Sequence, residues 1–146
     1  MRRRGEVWQL GEPTGRFFGS FSHALDAKGR LTLPVRFRGQ FGDQCFVTPS
    51  QYEDPCLVVW RVEDFNAFVG EVRAEHWADP EERRRLRSWA SEAFEAEIDR
   101  LGRLMLPPSH RAYANLDHDV RVHGAFGTVE LWDPATWERY RGGDRG

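Results

Sequence analysis

Residues 26–38 read Asp26-Ala27-Lys28-Gly29-Arg30-Leu31-Thr32-Leu33-Pro34-Val35-Arg36-Phe37-Arg38, and residues 99–111 repeat the pattern as Asp99-Arg100-Leu101-Gly102-Arg103-Leu104-Met105-Leu106-Pro107-Pro108-Ser109-His110-Arg111. An offset of 73 residues superposes Asp26 on Asp99, Gly29 on Gly102, Arg30 on Arg103, Leu31 on Leu104, Leu33 on Leu106, Pro34 on Pro107 and Arg38 on Arg111. That offset is half of the 146 residues, which marks an internal duplication. A second echo extends it. Cys56-Leu57-Val58-Val59-Trp60 precedes Phe65, and Thr128-Val129-Glu130-Leu131-Trp132 precedes Trp137, now at an offset of 72. Two half-units with the same element order can be related by a pseudo-twofold axis, the symmetry that a homodimer imposes on its own interface.

Working outward from the repeat, residues 16–25 read as a strand, Asp26-Ala27-Lys28-Gly29 as a turn and Arg30–Leu33 as a half-buried strand of alternating polar and apolar residues. Together they predict a hairpin with Lys28 at its tip. Pro34 suits the first turn of a short helix through Phe41. Strands are expected near 45–48 and 57–60, then a helix from Val62 to about Arg73 with Val62, Phe65, Val69 and Val72 on one face. Asp79-Pro80-Glu81-Glu82 is a capped helix start. The second copy repeats strand, turn, strand and short helix, followed by strands near 120–122 and 128–132 and a closing helix from Asp133-Pro134. The expected class is α+β and β-rich. Its organisation is a flexible N-terminal extension over 1–15, a first half over 16–75, a linker helix over 76–92, a second half over 93–141 and a tail over 142–146.

Charge is unevenly spread. Residues 1–50 carry +4 and residues 51–100 carry −6, within a chain of net charge −2. A basic region can attract a polyanion although the whole chain is slightly acidic. Lys28 is the only lysine beside 20 arginines, so a lysine kept within the repeated turn stands out more than any single arginine. Met1-Arg2-Arg3-Arg4 is followed by no apolar run, and no stretch approaches the roughly 18 apolar residues of a membrane span. A cytoplasmic protein without membrane association is expected. Cys45 and Cys56 have no counterparts in the second copy and read as buried free thiols. Neither a metal nor an organic cofactor is expected, since no P-loop, dinucleotide fingerprint or metal-ligand spacing occurs.

The twin turns are the candidate site. Lys28, Arg30 and Arg103 would project from one face, where guanidinium groups match phosphates and the O6 and N7 acceptors of guanine. Asp26 and Asp99 would pair with those arginines and fix their rotamers. Twin aspartates on a dyad also suggest an acid–base pair, but Lys28, Arg30, Arg100 and Arg103 would keep both carboxylates ionised. Arg83-Arg84-Arg85-Leu86-Arg87 lies among acids and reads as a solvated helix face, with Glu81 in reach of Arg84 and Arg85. Trp60 and Trp132, with Phe65 and Trp137 after them, occupy matched places and read as packing residues.

Phe17-Phe18-Gly19, then His23-x-Leu25-Asp26-x-Lys28-Gly29-Arg30-Leu31-Thr32-Leu33-Pro34 and Phe37-Arg38, resembles the start of the MraZ proteins. Asp99-x-x-Gly102-Arg103-Leu104-x-Leu106-Pro107 matches their second motif, and Glu130-Leu131-Trp132 through Trp137 their end, so the resemblance covers about residues 16–141. It implies a tandem AbrB-like swapped-hairpin fold with short flanking helices, and a non-enzymatic bacterial transcription regulator of the division and cell-wall gene cluster. Double-stranded DNA would be bound at short direct repeats upstream of its own gene, by a ring-shaped homo-oligomer at the nucleoid. Carried over residue by residue, Arg30 and Arg103 would contact DNA, Lys28 would assist, and Asp26 and Asp99 would position the arginines; Arg36 and Arg38 are further candidate DNA-binding residues. The competing class is an oligomeric AbrB-fold interaction protein that acts through protein partners.

Overall fold

The computed structural model describes residues 2–4, 7–9 and 14–143. Residues 1, 5, 6 and 10–13 of the expected extension, and residues 144–146 of the tail, lie outside them. Arg2–Arg4 (β1) and Val7–Gln9 (β2) pair antiparallel. The elements that follow are β3 (Ser20–Ala24), β4 (Arg30–Thr32), α1 (Val35–Arg38), β5 (Gln44–Pro49), β6 (Leu57–Trp60), α2 (Val62–His76), α3 (Pro80–Ala90), β7 (Phe94–Glu97), β8 (Arg103–Met105), α4 (Pro108–Tyr113), β9 (Asp119–Ala125), β10 (Thr128–Trp132) and α5 (Pro134–Arg141).

Six strands form one antiparallel sheet in the order β3-β9-β10-β6-β5-β7, and β4 pairs with β8 in a separate two-stranded ribbon. Reading the sheet from either end gives the same elements of opposite halves. The first half's β3 lies on the second half's β9, and the second half's β7 lies on the first half's β5. At the centre Val58 is paired with Glu130, its own counterpart at the offset of 72. In the ribbon Leu31 is paired with Leu104, its counterpart at 73, and the flanking pairs are Arg30 with Met105 and Thr32 with Arg103. One pseudo-dyad therefore passes through both pairs, and each half completes the other's sheet.

This exchange corrects the simple hairpin expected over residues 16–33. β3 and β4 form no ladder with each other; the turn between them is closed by the Leu25–Leu31 bridge and the 3.0 Å hydrogen bond from Asp26 N–H to the Arg30 carbonyl. Beyond the turn they separate, because β4 turns to β8 while β3 stays with β9. Thr14 and Gly15 are tied down as well. Their N–H groups donate to the buried Asp64 carboxylate at 2.9 and 3.2 Å, and the Thr14 hydroxyl donates to it at 2.9 Å.

Alternation along the central strands sorts side chains onto two faces. Leu57 and Val59 of β6, with Val129 and Leu131 of β10, enter the main core together with Leu31, Leu33, Phe37, Leu104, Leu106 and Val122. Val58 and Trp60 point the other way, under α2 and α3, where Phe65, Phe68, Val72, Leu86 and Trp89 close a second cluster. Trp132 is covered in the same sense by α5. The repeat's matched aromatics meet in matched ways: Trp60 on Phe65 with ring centroids 5.9 Å apart, Trp132 on Trp137 at 5.1 Å. The indole N–H of Trp60 donates to Thr48 Oγ1 at 3.0 Å and that of Trp132 to Glu130 Oε1 at 2.9 Å, so neither buried ring leaves a donor unmet.

The helices start where their caps say. Asp79 accepts from the Glu82 amide at 3.1 Å, and Asp133 accepts from the Thr136 amide at 2.9 Å. Arg84 pairs with Glu81 as expected, but Arg85 reaches across to Glu53 at 2.6 Å. Cys45 and Cys56 are free and buried, and burial pushes the Cys45 thiol up to about 12. Among the described residues no helix is long and apolar enough to cross a membrane.

The dyad pair carries a stability prediction. Leu31→Ala and Leu104→Ala should each lower the unfolding free energy by about 2–5 kcal/mol, as for other buried leucines. Both residues lie in one contact cluster, so urea titration of the double variant should give less than the sum, in a single transition.

Candidate nucleic-acid interface

Each repeated turn is closed by its aspartate. Asp26 Oδ1 accepts from the Lys28 and Arg30 amides, both at 2.9 Å, and its Oδ2 accepts from Arg30 Nε at 2.7 Å. Asp99 does the same with the Leu101 and Arg103 amides at 2.9 Å and with Arg103 Nε at 2.8 Å. The carbonyls of Asp26 and Asp99 take the Gly29 and Gly102 amides at 3.0 and 2.9 Å. Such a turn needs a left-handed residue in its last position. Gly29 and Gly102 supply it with φ of +79° and +80°.

An aspartate that accepts two backbone amides and one guanidinium N–H is stabilised in its charged form. The Arg30 amide is the largest contributor that holds the Asp26 carboxyl down at about 2, and the Arg103 amide does the same for Asp99 in direction. Because Nε is engaged, each guanidinium is fixed in orientation while both Nη groups remain for an outside acceptor. Arg30 and Arg103 are each 29% exposed, so both side chains are partly packed and partly open to solvent.

The dyad brings the two turns to one ribbon. Leu33 N–H donates to the Gly102 carbonyl at 2.8 Å, and Leu106 N–H to the Gly29 carbonyl at 3.0 Å. Arg30, Thr32, Arg103 and Met105 stand on its outer face, with Leu31 and Leu104 buried beneath. Lys28 is exposed at the first tip.

Arg38 and Arg36 have other contacts. Arg38 Nε donates to its own Leu33 carbonyl at 2.9 Å, and the side chain lies over Gly102 of the other half, where an added Cβ would collide with it. Arg111 repeats this, donating to the Leu106 carbonyl at 3.0 Å and lying over Gly29. Each of these arginines therefore supports the opposite half's turn. Arg36 is exposed on α1, with its guanidinium 5.9 Å from the centre of the Phe21 ring. The supporting role of Arg38 and Arg111 was legible only as a shared offset. Nothing in the sequence says that a side chain in one half covers a glycine in the other.

A duplicated chain whose halves exchange strands about one dyad, with twin aspartate-locked arginine turns on the shared ribbon, is a tandem swapped-hairpin protein. The family model for the MraZ protein, antitoxin-like by its description, matches twice, over residues 17–88 and 89–143. A transcriptional regulator MraZ from Acetivibrio thermocellus is 34% identical over 126 residues, covering 86% of this chain and 87% of that protein. The proteins of that name from Thermomicrobium roseum and Kineococcus radiotolerans are 39% and 40% identical, over 83% and 85% of this chain and 84% and 85% of theirs. The chain belongs to the MraZ family.

The folded carboxyls lie below their ordinary value of 3.8, so the contribution of each lock is complete above that value. For Asp26 it is lost as the pH falls through about 2. A carboxyl-carbon NMR titration should give Asp26 a midpoint of about 2. Part of that depression should survive in Arg30→Ala, whose backbone amide is unchanged; a full return to the ordinary value would make the guanidinium the sole partner instead.

Proposed function

We propose that this chain is a transcriptional regulator that binds double-stranded DNA through the β4–β8 ribbon and its two turns. The observation that carries the reading is the pair of arginines, each locked at Nε by an aspartate and set on one outward face by the pseudo-dyad. A two-stranded ribbon fits the major groove, and guanidinium Nη groups match guanine O6 and N7 or a phosphate. Arg30 and Arg103 are the base or phosphate readers, Lys28 adds a charge at the first tip, and Asp26 and Asp99 are positioning residues. Arg38 supports the second turn through Gly102, and Arg36 supplies further positive charge from α1. The names of the relatives support transcriptional regulation. The division and cell-wall cluster, with direct repeats upstream of the chain's own gene, is the target that the family resemblance supports.

The proposal includes self-association into a ring at the nucleoid. An apolar groove of about 540 Å³ between α2 and α3, lined among others by Phe68, Val72, Trp77, Leu86 and Trp89, supports a subunit contact remote from the ribbon. Head-to-tail contacts close into rings when their rotation permits.

The test compares Arg30→Ala with Arg73→Ala, since Arg73 stacks on Trp77 at 5.0 Å and belongs to the helical face. With DNA from upstream of the gene, loss of a bidentate base contact should weaken binding by about 1–3 kcal/mol per site, and loss of a phosphate contact should reduce the salt slope by about one. Arg73 lines the proposed subunit contact, so the comparison uses DNA carrying a single repeat, where assembly adds no avidity and Arg73→Ala should bind as the unaltered protein does. Unchanged affinity in Arg30→Ala, at an unchanged sedimentation coefficient, would remove the ribbon from DNA and favour the interaction-protein reading.

A further inference from the structure

The pseudo-dyad sets two chemically different turns in one backbone geometry. The amides of Lys28 and Leu101 donate to Asp26 Oδ1 and Asp99 Oδ1 at the same 2.9 Å, so an ammonium stem and an isobutyl group leave the chain at matching points. Leu101 is 62% exposed there. Four residues on, Thr32 and Met105 form a second mismatched pair, and Met105 is 46% exposed beside Arg30. Leu101, Arg103 and Met105 alternate along the second turn and strand, where the first has Lys28, Arg30 and Thr32. The outward face thus carries cations in both halves but large apolar side chains in one.

Lone exposed apolar side chains are ordinary on protein surfaces. Here Leu101 and Met105 flank a guanidinium that is itself fixed in place. Lys28, Arg30, Arg100 and Arg103 surround them in the two turns, and the acids there, Asp26 and Asp99, are already bound to the arginines. An occupant of this face must be anionic and must also offer apolar groups at its centre. In the major groove the thymine C5 methyl is such a group, while the other base edges present donors and acceptors that leucine and methionine cannot meet.

We infer that Leu101 and Met105 take thymine methyl groups in the major groove, so that the two halves read different bases and the chain recognises a non-palindromic element. This rests on the ribbon being the DNA face. The first half, with Lys28 and Thr32, reads acceptor-rich edges; the second, with Leu101 and Met105, reads a methyl beside the base or phosphate held by Arg103. Polarity of the bound element follows from side-chain chemistry alone, since the backbone is pseudo-symmetric.

The test lets the full chain select its site from random-sequence duplex DNA. The recovered duplex is then prepared with thymine or with deoxyuridine, which lacks only the methyl. The unaltered protein should bind the deoxyuridine duplex about fourfold more weakly for each contacted methyl, from about 0.8 kcal/mol per buried carbon. Leu101→Ala with Met105→Ala should bind the two duplexes equally, with an unchanged unfolding temperature and sedimentation coefficient. Leu101→Lys should select a more nearly palindromic site. Equal binding of both duplexes by the unaltered protein, with Arg30→Ala still weakening binding, would overturn the methyl assignment alone. Recovery of no duplex, or full binding by Arg30→Ala, would overturn it together with the DNA reading. Loss of the oligomer in the Leu101 and Met105 variant, with methyl discrimination kept, would reassign these side chains to a subunit contact.

Discussion

The pairing of Leu31 with Leu104 across the β4–β8 ribbon is the constraint on which the other features depend. Three residues on each side, Arg30–Thr32 and Arg103–Met105, make too short a ladder to persist by itself. It persists because both leucines are buried, at 0% and 1% exposure, and because the two amides of Leu33 and Leu106 reach across to the glycine carbonyls of the opposite turns. Each turn is therefore held by its own aspartate, by the other half's strand and by the other half's arginine. Loss of any one would loosen both turns, since neither half has a partner of its own for its ribbon strand.

That arrangement makes the twin arginines one unit. A guanidinium on a free hairpin tip would have to be ordered on binding. Here Nε is already committed to a carboxylate that stays ionised far below neutral pH, and the side chain is partly packed. The cost of ordering falls in folding, which is how preorganisation raises affinity in general. The three longer helices pack elsewhere. α2 and α3 cover Trp60 on the far side of the six-stranded sheet, and α5 covers Trp132 beside them. Symmetry of backbone with asymmetry of side chains at Lys28 and Leu101 then lets one chain do what a homodimer cannot, which is to present two different surfaces about one axis.

The repeat made the dyad legible before any coordinates, because Asp, Gly, Arg and Pro return at one offset. Strand and helix positions followed from alternation and caps: β6 and β10 fall on the apolar runs before the two tryptophans, and α3 and α5 begin at Asp-Pro. Which strands pair was not legible from periodicity. β3 and β4 read as one hairpin because they are joined by a tight turn, and only the shared core decides that each finds its partner in the other half. Family resemblance, not pattern, implied that exchange. Within the site, the Asp–Arg locks could be read from spacing, whereas the packing of Arg38 over Gly102 and Arg111 over Gly29 is a long-range contact that no local pattern encodes.

The most direct test of the interlocked account is amide hydrogen exchange at Leu33 and Leu106, whose N–H groups close the ribbon from opposite halves. If the two halves form one cooperative unit, both amides should exchange with the same opening free energy, equal to that of global unfolding, and Leu31→Ala should lower both by the same amount. Opening of one amide well below the global value, or a response confined to the mutated half, would contradict the account.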